Sequence, residues 1–496
     1  MTSTENVNHT GKTRRDLPIW VAGALSLGTV GPTLAMSGNG QGLVASVGKA
    51  VPLVFLIGLI GVSLVGYSFV RLTRHLNQAG SAYALVGRTL GRRTGVFAGF
   101  AMIGAYVGFS IGCLALTASF VNAFLAQMQP GSQEPFQVPW LVTVLVLTAV
   151  SLAFAGRDVS FIAKTLLVLE GIGIIAMLVL IGVIVGHGGA PSTGMDMSVF
   201  TFSGGIGATA VLGGVVAAFL SWAGFEACAS MSEETSDPGR NIPRALTGTL
   251  IATGVVFVVV MFAQTIGFGT DKAGLEAFRT SDNTLGDLAD RYIGSGFALV
   301  VVFTATIAAF ASHMATAATA GRIMQTLARD GVGPSWLGKI HERTGGPRRA
   351  MWAVVGVAFL MNVVCSVTDW PDMGTGNGAN DAYFLFAIAG SFCLMVTYLV
   401  VEVAALRFVG SSRFDHIHGG RGRVLGVVLP TLGAAVILVV LWFNVRDADS
   451  PASAAMLGVY WCAVGVLVGL LVGKTDRTVD GGLAEEIGET RVGESR

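Results

Sequence analysis

The stretch Gly28-Thr29-Val30-Gly31-Pro32-Thr33 interrupts an apolar run that covers residues 19–38. A run of about 20 apolar residues is long enough to cross the hydrocarbon of a bilayer as an α-helix. Pro32 has no N–H to donate and its ring cannot continue a straight helix, while the glycines loosen the backbone around it. This stretch therefore predicts a membrane helix that is broken near its centre.

A second break is predicted in the apolar run at residues 206–230. There the stretch Ser221-Trp222-Ala223-Gly224-Phe225-Glu226 places a hydroxyl, a glycine and a carboxylate about two-thirds of the way along the run. Unwound backbone offers N–H and C=O groups that a continuous helix uses internally, and transporters bind substrate at such places. The two runs are the first and the sixth, which are corresponding members of two sets of five. We therefore expect a binding site between the two breaks.

The composition of the whole chain is that of a membrane protein. Of its 496 residues, 52% are hydrophobic and only 12% are charged, and the mean hydropathy is +0.68. A soluble domain cannot bury so much apolar surface. Apolar runs long enough to cross a bilayer lie at residues 19–38, 51–70, 95–125, 138–155, 161–186, 206–230, 246–268, 292–320, 351–368, 382–409, 424–444 and 453–473. We predict an all-α polytopic membrane protein with about twelve transmembrane helices.

The distribution of basic residues predicts the orientation of these helices. Lys and Arg collect in the cytoplasmic loops of membrane proteins. With the N-terminus inside, the only basic residues that fall on the opposite side are Lys49, Lys272, Arg279, Arg291 and Arg446. We therefore expect a multi-pass protein of the cell (plasma or inner) membrane. Its transmembrane domain would cover residues 19–475, with cytoplasmic tails at 1–18 and 476–496.

Several other classes of site are disfavoured by the sequence. A net charge of +1 gives no basic surface for nucleic acid. The five cysteines are scattered through apolar runs without CxxC spacing, so we expect small buried residues rather than disulfides or metal ligands. His416 and His418 lie in a loop with no third ligand in view, and we expect no metal. Gly104, Gly108 and Gly112 recur every four residues, which is typical of close helix packing.

Three longer motifs resemble one family. Gly224-Phe225-Glu226 and the stretch 233–245 are similar to the pattern that follows the sixth helix of the amino acid/polyamine/organocation (APC) superfamily. Residues 321–334 resemble its loop after the eighth helix, and residues 78–83 resemble its stretch after the second. The chain is thus identified as a member of that superfamily over roughly its first ten helices.

The resemblance implies a LeuT-like fold of five plus five helices in an inverted repeat. The first repeat would cover residues 19–186 and the second residues 206–409, and two extra C-terminal helices would cover residues 424–473. The resemblance also implies discontinuous first and sixth helices, around which alternating access takes place.

The family motif at the first break carries a glycine-serine-glycine turn, and Gly31, Pro32 and Thr33 occupy its position. In the family, backbone amides and a hydroxyl of this turn receive the carboxylate of the substrate. This sequence departs from the pattern, because Pro32 lacks an amide hydrogen and Thr33 is not a glycine. Thr29, in the same stretch, is a further candidate for substrate binding.

At the sixth helix, Phe219, Leu220 and Ala223 fall where the family offers carbonyl groups to the ammonium of the substrate and an aromatic lid above it. Leu220 stands where some members carry a tryptophan. The resemblance therefore leaves Phe219 or Trp222 as the lid.

Ionisable side chains inside the membrane are functional candidates, because each costs at least about 2.5 kcal/mol to insert. Glu170 lies about where certain proton-coupled family members carry a lysine, so it either exchanges a proton during transport or is a structural carboxylate. Glu226 either caps freed amides or senses a proton or an amine. His313 either relays protons or is a neutral structural histidine. Glu402 is expected to pair with a basic neighbour.

These observations together predict a secondary active transporter, and not an enzyme, for an amino acid or a related small amine. We expect proton-coupled symport or exchange, with no cofactor. A polyamine or ethanolamine-type cation remains an alternative cargo, and sodium remains an alternative coupling ion that Thr304, Thr306 and Ser312 would bind. Channel and membrane-enzyme functions are remote, since the sequence has no repeated filter and no HExxH or GxSxG motif. The expected partners are the substrate and membrane lipid, and the protein is either a monomer or a homodimer.

Overall fold

The computed structural model describes residues 19–76, 82–129, 135–155, 159–202, 207–231, 235–339, 346–410, 420–446, 450 and 452–472. These residues form helices and no β-strand. The predicted tails at 1–18 and 476–496, and the histidines His416 and His418, lie outside the described residues.

The α-helices are numbered here in chain order. They are α1 (Ile19–Val30), α2 (Pro32–Gly38), α3 (Gln41–Val47), α4 (Val51–His75), α5 (Ala82–Leu90), α6 (Arg92–Gln127), α7 (Trp140–Phe154), α8 (Val159–Gly186), α9 (Ala208–Ser221), α10 (Pro238–Phe268), α11 (Lys272–Thr280), α12 (Thr284–Tyr292), α13 (Ser295–Arg329), α14 (Arg348–Thr368), α15 (Gly378–Val409), α16 (Gly420–Arg446) and α17 (Ala454–Leu471). Short 3₁₀ helices cover Gly48–Ala50, Met197–Phe200, Ala227–Met231 and Ser335–Gly338.

Within the described residues, eight helical segments are long and apolar enough to cross a membrane. They are Gln41–His75, Arg92–Gln127, Pro238–Phe268, Ser295–Arg329, Arg348–Thr368, Gly378–Val409, Arg423–Arg446 and Ala454–Leu471. Shorter apolar helices at Trp140–Phe154, Glu170–Gly186 and Ala210–Ser221 fall in three more of the predicted runs. The described part of the chain is thus all-helical, as expected of a multi-pass membrane protein. The number of twelve spans stays a prediction.

The first predicted break lies between α1 and α2. Gly31 has a left-handed backbone, with φ 56° and ψ 66°, which glycine adopts without strain. Pro32 then begins α2, where its missing N–H is tolerated because the first turn of a helix has no internal acceptor for it.

The second predicted break lies at the end of α9. The helix ends at Ser221, and a turn at residues 222–226 leads to the 3₁₀ helix Ala227–Met231. Gly224 has φ 97°, and a side chain at this position would overlap the side chain of Thr29 on α1. The two breaks are therefore in direct contact.

Helix α6 packs closely against its neighbours along Gly104, Gly108 and Gly112, which we call the glycine stripe. A Cβ atom at Gly108 would lie 2.8 Å from the carbonyl oxygen of Phe386, and one at Gly112 would lie 3.0 Å from that of Tyr383. Gly104 makes room in the same way for the indole of Trp461 on α17. The close helix packing that the spacing predicts is confirmed.

Short helices α11 and α12 cover one end of the helix bundle, which we call the α11–α12 face. Thr284 at the start of α12 donates hydrogen bonds of 3.1 Å to the carbonyl oxygens of Met36 and Ser37 at the end of α2. On the same face, Lys49 forms a 3.0 Å ion pair with Asp196. A hydrogen bond from the Ser198 hydroxyl, together with Lys49, holds the pKa of Asp196 well below its usual range.

We expect Gly108→Val to destabilise the protein by about 1–3 kcal/mol, because the added side chain must displace the backbone of α15. The apparent melting temperature of the purified protein in detergent measures this effect. Gly356→Val on α14 is the matched control, since a Cβ atom there meets nothing within 4 Å. Equal melting temperatures for the two variants would contradict the close packing of α6 on α15.

Candidate functional site

A small cavity lies where the two helix breaks meet. Its volume is about 20 Å³, which is room for about one water molecule. Its lining residues come from α1, α2 and its cap, α6, α9 and the turn that follows it, α13 and α15. They are Thr29, Val30, Leu34, Ala35, Asn39, Phe109, Cys113, Leu220, Ala223, Ser312, Tyr383 and Ala387. None of these side chains is charged, so the cavity is polar at a few points and neutral overall.

The broken backbone of α1 offers carbonyl groups beside this cavity. Because Pro32 has no N–H, the carbonyl of Gly28 has no partner one turn ahead in the chain. The hydroxyl of Ser312 on α13 donates a 3.0 Å hydrogen bond to the carbonyl of Thr29. The end of α1 is therefore an electronegative wall made of backbone oxygens, part of which a hydroxyl from another helix already occupies.

On one side of the cavity, Ser26 joins α1 to the segment after α9. Its hydroxyl donates to the carbonyl of Phe225 at 2.8 Å and accepts from the N–H of Cys228 at 2.9 Å. All three residues are buried. These bonds close the path between the two breaks on that side.

On the side of the α11–α12 face, a buried network closes the cavity. The amide of Asn39 donates to the hydroxyl of Ser221 at 2.9 Å, and the hydroxyl of Tyr383 donates to the amide oxygen of Asn39 at 2.7 Å. These three residues belong to the ends of α2 and α9 and to the start of α15. Buried hydrogen bonds thus bridge the helices on both sides of the cavity, and a molecule larger than water requires these groups to separate.

Glu170 accepts a hydrogen bond from a backbone amide that the family resemblance assigns to the substrate carboxylate. The N–H of Thr33 donates a 2.7 Å hydrogen bond to the carboxylate of Glu170 on α8. The side chain of Thr33 lies against Gly173, one turn further along α8. Neither Thr33 nor Glu170 lines the cavity. The start of α2 is therefore bound to α8 by an internal carboxylate.

Glu226 is held by two tyrosines from different helices. The hydroxyls of Tyr106 on α6 and Tyr398 on α15 each donate a 2.5 Å hydrogen bond to its carboxylate. All three side chains are buried. The carboxylate therefore fixes the segment after α9 between α6 and α15, and it does not face the cavity.

His313 and Glu402 are both buried away from the cavity. Nδ1 of His313 lies 3.0 Å from the hydroxyl and 2.8 Å from the carbonyl oxygen of Ser110. Glu402 accepts a hydrogen bond from the hydroxyl of Ser68 on α4, and its Oε1 has no hydrogen-bond partner in the described part of the chain. The prediction that Glu402 pairs with a basic residue is wrong, because a hydroxyl fills that place.

The two aromatic residues proposed as a lid do not line the cavity. The ring of Trp222 packs against Phe55 and Phe257, at centroid distances of 5.6 and 5.4 Å. Phe219 lies against Gly61 on α4. Of the candidates at the breaks, Thr29, Leu220 and Ala223 line the cavity, whereas Gly31 and Pro32 lie just beside it. Substrate contacts of all these residues stay predictions.

The oxygens proposed for sodium do not converge. Thr304 and Thr306 donate to carbonyls of their own helix, those of Val301 and Val302, at 2.9 and 2.7 Å. Ser312 lies eight residues beyond Thr304 on the continuous helix α13, a rise of about 12 Å. One ion therefore cannot contact both, and sodium coupling stays a prediction. No group of three His, Cys, Asp or Glu in the described residues has a spacing that fits a metal.

Several cavity residues were missed by sequence reasoning. They are Val30, Leu34, Ala35, Asn39, Phe109, Cys113, Tyr383 and Ala387. Phe109 and Cys113 each directly follow a glycine of the stripe on α6, which was interpreted only as packing. A polar Asn39 near the end of an apolar run was the one local signal available.

Comparisons with known proteins agree with this architecture. A family model described as amino acid permease matches residues 18–468. The chain is 24% identical to the low-affinity putrescine importer PlaP of Escherichia coli (strain K12), over 86% of this chain and 87% of the relative. It is 28% identical to an uncharacterized transporter of Mycobacterium tuberculosis, over 83% of both chains. It is 23% identical to the branched-chain amino acid permease BcaP of Lactococcus lactis, over 68% of this chain and 73% of the relative.

We expect Asn39→Ala to expose the cavity, because the variant loses both hydrogen bonds that join α2 to α9 and α15. Cys113 reports the opening in a protein whose other four cysteines are replaced by alanine. Losing a buried hydrogen bond costs about 1–3 kcal/mol, so the rate at which a thiol reagent labels Cys113 should rise about tenfold.

Asn362→Ala is the matched control for this labelling experiment. Asn362 is a fully buried amide on α14 that bonds the carbonyl of Ile111 at 3.1 Å, away from the cavity. Labelling that is equally fast in both variants would show that Asn39 does not close the cavity.

Proposed function

Because the chain belongs to the amino acid permease family, we propose that it is a secondary active transporter for a neutral amino acid. The family and its relatives are transporters rather than enzymes. The observation that carries the proposal is the uncharged cavity between two broken helices. We further infer that cargo crosses the membrane by alternating access around this cavity.

The neutrality of the cavity favours a zwitterion over a dication. An amino acid with an uncharged side chain has no net charge, and its ammonium is matched by backbone carbonyls at the end of α1. A diamine brings two positive charges, and burying them requires carboxylates nearby. Glu170 contacts the first broken segment and Glu226 lies in the second, and both are bound to internal donors outside the cavity. The apolar lining by Phe109 and Leu220 suits an aliphatic side chain.

A diamine is the second candidate cargo. It is favoured by the similarity to a putrescine importer over 86% of the chain. For this cargo, opening of the cavity would have to release Glu226 from Tyr106 and Tyr398. Competition between the two classes of compound in one uptake experiment separates the candidates.

We also propose the full topology that the sequence predicts. The helices of residues 19–186 and 206–409 would form the two inverted repeats of a LeuT-like fold, and α16 and α17 would be the two added helices. The distribution of basic residues supports a topology with both termini in the cytoplasm and the α11–α12 face on the extracellular side. The network of Asn39 then closes the cavity toward the outside, and the bonds of Ser26 close it toward the cytoplasm.

Proton coupling is proposed to act through Glu170. An ionised carboxylate accepts the N–H of Thr33 in a charge-assisted bond, which is about twice as strong as a neutral one. Protonation removes the charge and loosens the start of α2 from α8. The protonation state of one buried group can therefore bias the position of the broken helix.

The cargo proposal predicts that proteoliposomes take up neutral aliphatic amino acids and that diamines do not compete. Ala223→Phe should reduce uptake to background, because the added ring fills the cavity. Ala435→Phe on α16 is the matched control, since Ala435 is exposed on the outside of the bundle. Uptake of diamines in place of amino acids, or normal uptake by Ala223→Phe, would contradict the proposal.

The coupling proposal predicts that Glu170→Gln still exchanges substrate but no longer accumulates it in response to an inward proton gradient. Its side chain keeps the shape of the carboxyl group and cannot change its charge. Glu402→Gln, which alters another buried carboxyl, should retain the response. A gradient response that survives in Glu170→Gln, or a sodium requirement in the wild-type protein, would refute coupling through Glu170.

A further inference from the structure

A second and larger cavity lies on the α11–α12 face, where α14 ends and α15 begins. Its volume is about 230 Å³. Trp140 at the start of α7 and Trp370 in the α14–α15 connection line it, together with Asp369, Asp372 and Asp381. None of its lining residues is basic. The cavity thus combines indole rings with carboxylates and contains no positive side chain of its own.

Asp381 is a buried carboxylate whose negative charge is only partly offset by hydrogen bonds from the protein. The residue is 5% exposed. Its Oδ1 accepts one hydrogen bond of 3.2 Å from the N–H of Thr375, and its Oδ2 accepts none from the described residues. The N-terminus of α15 adds a partial positive charge. Burying a carboxylate with so few hydrogen-bond donors is unfavourable. Asp381 also lines the cavity, so a ligand there can reach it.

The two other carboxylates add to the same negative field. Asp369 and Asp372 are exposed at the rim. Within the part of the chain that the structure describes, neither they nor Asp381 forms an ion pair. A cation in the cavity would therefore offset three negative charges at once, and Asp381 would gain most because solvent screens it least.

The chemistry of the lining favours an organic cation over a metal ion. Among the described residues, no group of three His, Cys, Asp or Glu is arranged to hold a metal ion. Indole rings attract ammonium groups through their electron-rich faces, by about 0.5–2 kcal/mol each. A volume of about 230 Å³ is below that of most drug-binding pockets, so the ligand is small.

We propose that this cavity binds a primary ammonium group. The group belongs either to a small free amine or to the headgroup of an aminophospholipid such as phosphatidylethanolamine. Tryptophans are common at the headgroup level of membranes, which makes both sources accessible. The site is separate from the cavity between the helix breaks and does not depend on the identity of the transported cargo.

Titration of the detergent-purified protein with propylammonium chloride, at constant ionic strength, tests the proposal. Saturable quenching of tryptophan fluorescence is expected, with a smaller amplitude in Trp370→Phe. Asp381→Asn should weaken the affinity about tenfold, as expected for loss of a buried charge at the site. Should that variant not fold, the double variant Asp369→Asn, Asp372→Asn, which alters exposed residues, should weaken the affinity as well.

Two control variants distinguish binding in this cavity from binding elsewhere on the protein. Asp290→Asn removes an exposed charge from α12 on the same face, and Ser312→Ala alters the cavity between the breaks. Both should bind propylammonium like the wild-type protein. Absence of saturable quenching in the wild-type protein, or unchanged affinity in the aspartate variants, would overturn the proposal.

Nanodiscs of defined composition identify the source of the ammonium. If the headgroup occupies the site, propylammonium binds in phosphatidylglycerol discs and is displaced in phosphatidylethanolamine discs. If the ligand is a free amine, the affinity is the same in both. Both outcomes support an ammonium site, whereas no binding in either lipid rejects it.

Discussion

Backbone groups inside a bilayer must find partners within the protein, and this constraint governs the break between α1 and α2. The break removes the helical partner of the Thr33 amide and that of the Thr29 carbonyl. Glu170 accepts from the first at 2.7 Å, and Ser312 donates to the second at 3.0 Å. Because these side chains belong to α8 and α13, the broken helix is joined to both. The position of the cavity follows from these bonds, since it lies where the freed backbone meets α9.

Side chains from other helices also stabilise the second break, and here they donate hydrogen bonds to a carboxylate. The carboxylate of Glu226 receives hydroxyls from α6 and α15, so these two helices must remain close together. The glycine stripe of α6 permits that distance, because a Cβ atom at Gly108 or Gly112 would collide with the backbone of α15. The close packing of α6 on α15 and the two hydrogen bonds to Glu226 therefore support one another. The cavity bounded by α6, α9 and α15 depends on both.

The breaks themselves could be predicted from the sequence because glycine and proline in an apolar run are local signals. Their partners could not. Thr33 and Glu170 are 137 positions apart, and Asn39 and Tyr383 are 344 positions apart. The family resemblance suggests Phe219 or Trp222 as the lid, but which face of α9 meets the cavity depends on how the helix is rotated in the bundle, and the motif does not define that rotation. Glu402 was assigned a basic partner because the sequence does not show that Ser68 faces it.

Helix α15 separates two cavities of different electrostatic character, one uncharged and one acidic. Tyr383 contributes to the neutral cavity between the breaks, and Asp381 contributes to the acidic cavity on the α11–α12 face. Two residues along an α-helix are rotated by about 200°, so these side chains leave the helix on nearly opposite sides. The carboxylates are thus kept outside the cavity between the breaks, which preserves the neutrality of that cavity. Any displacement of the first turns of α15 changes both cavities together, because the same turns form a wall of each.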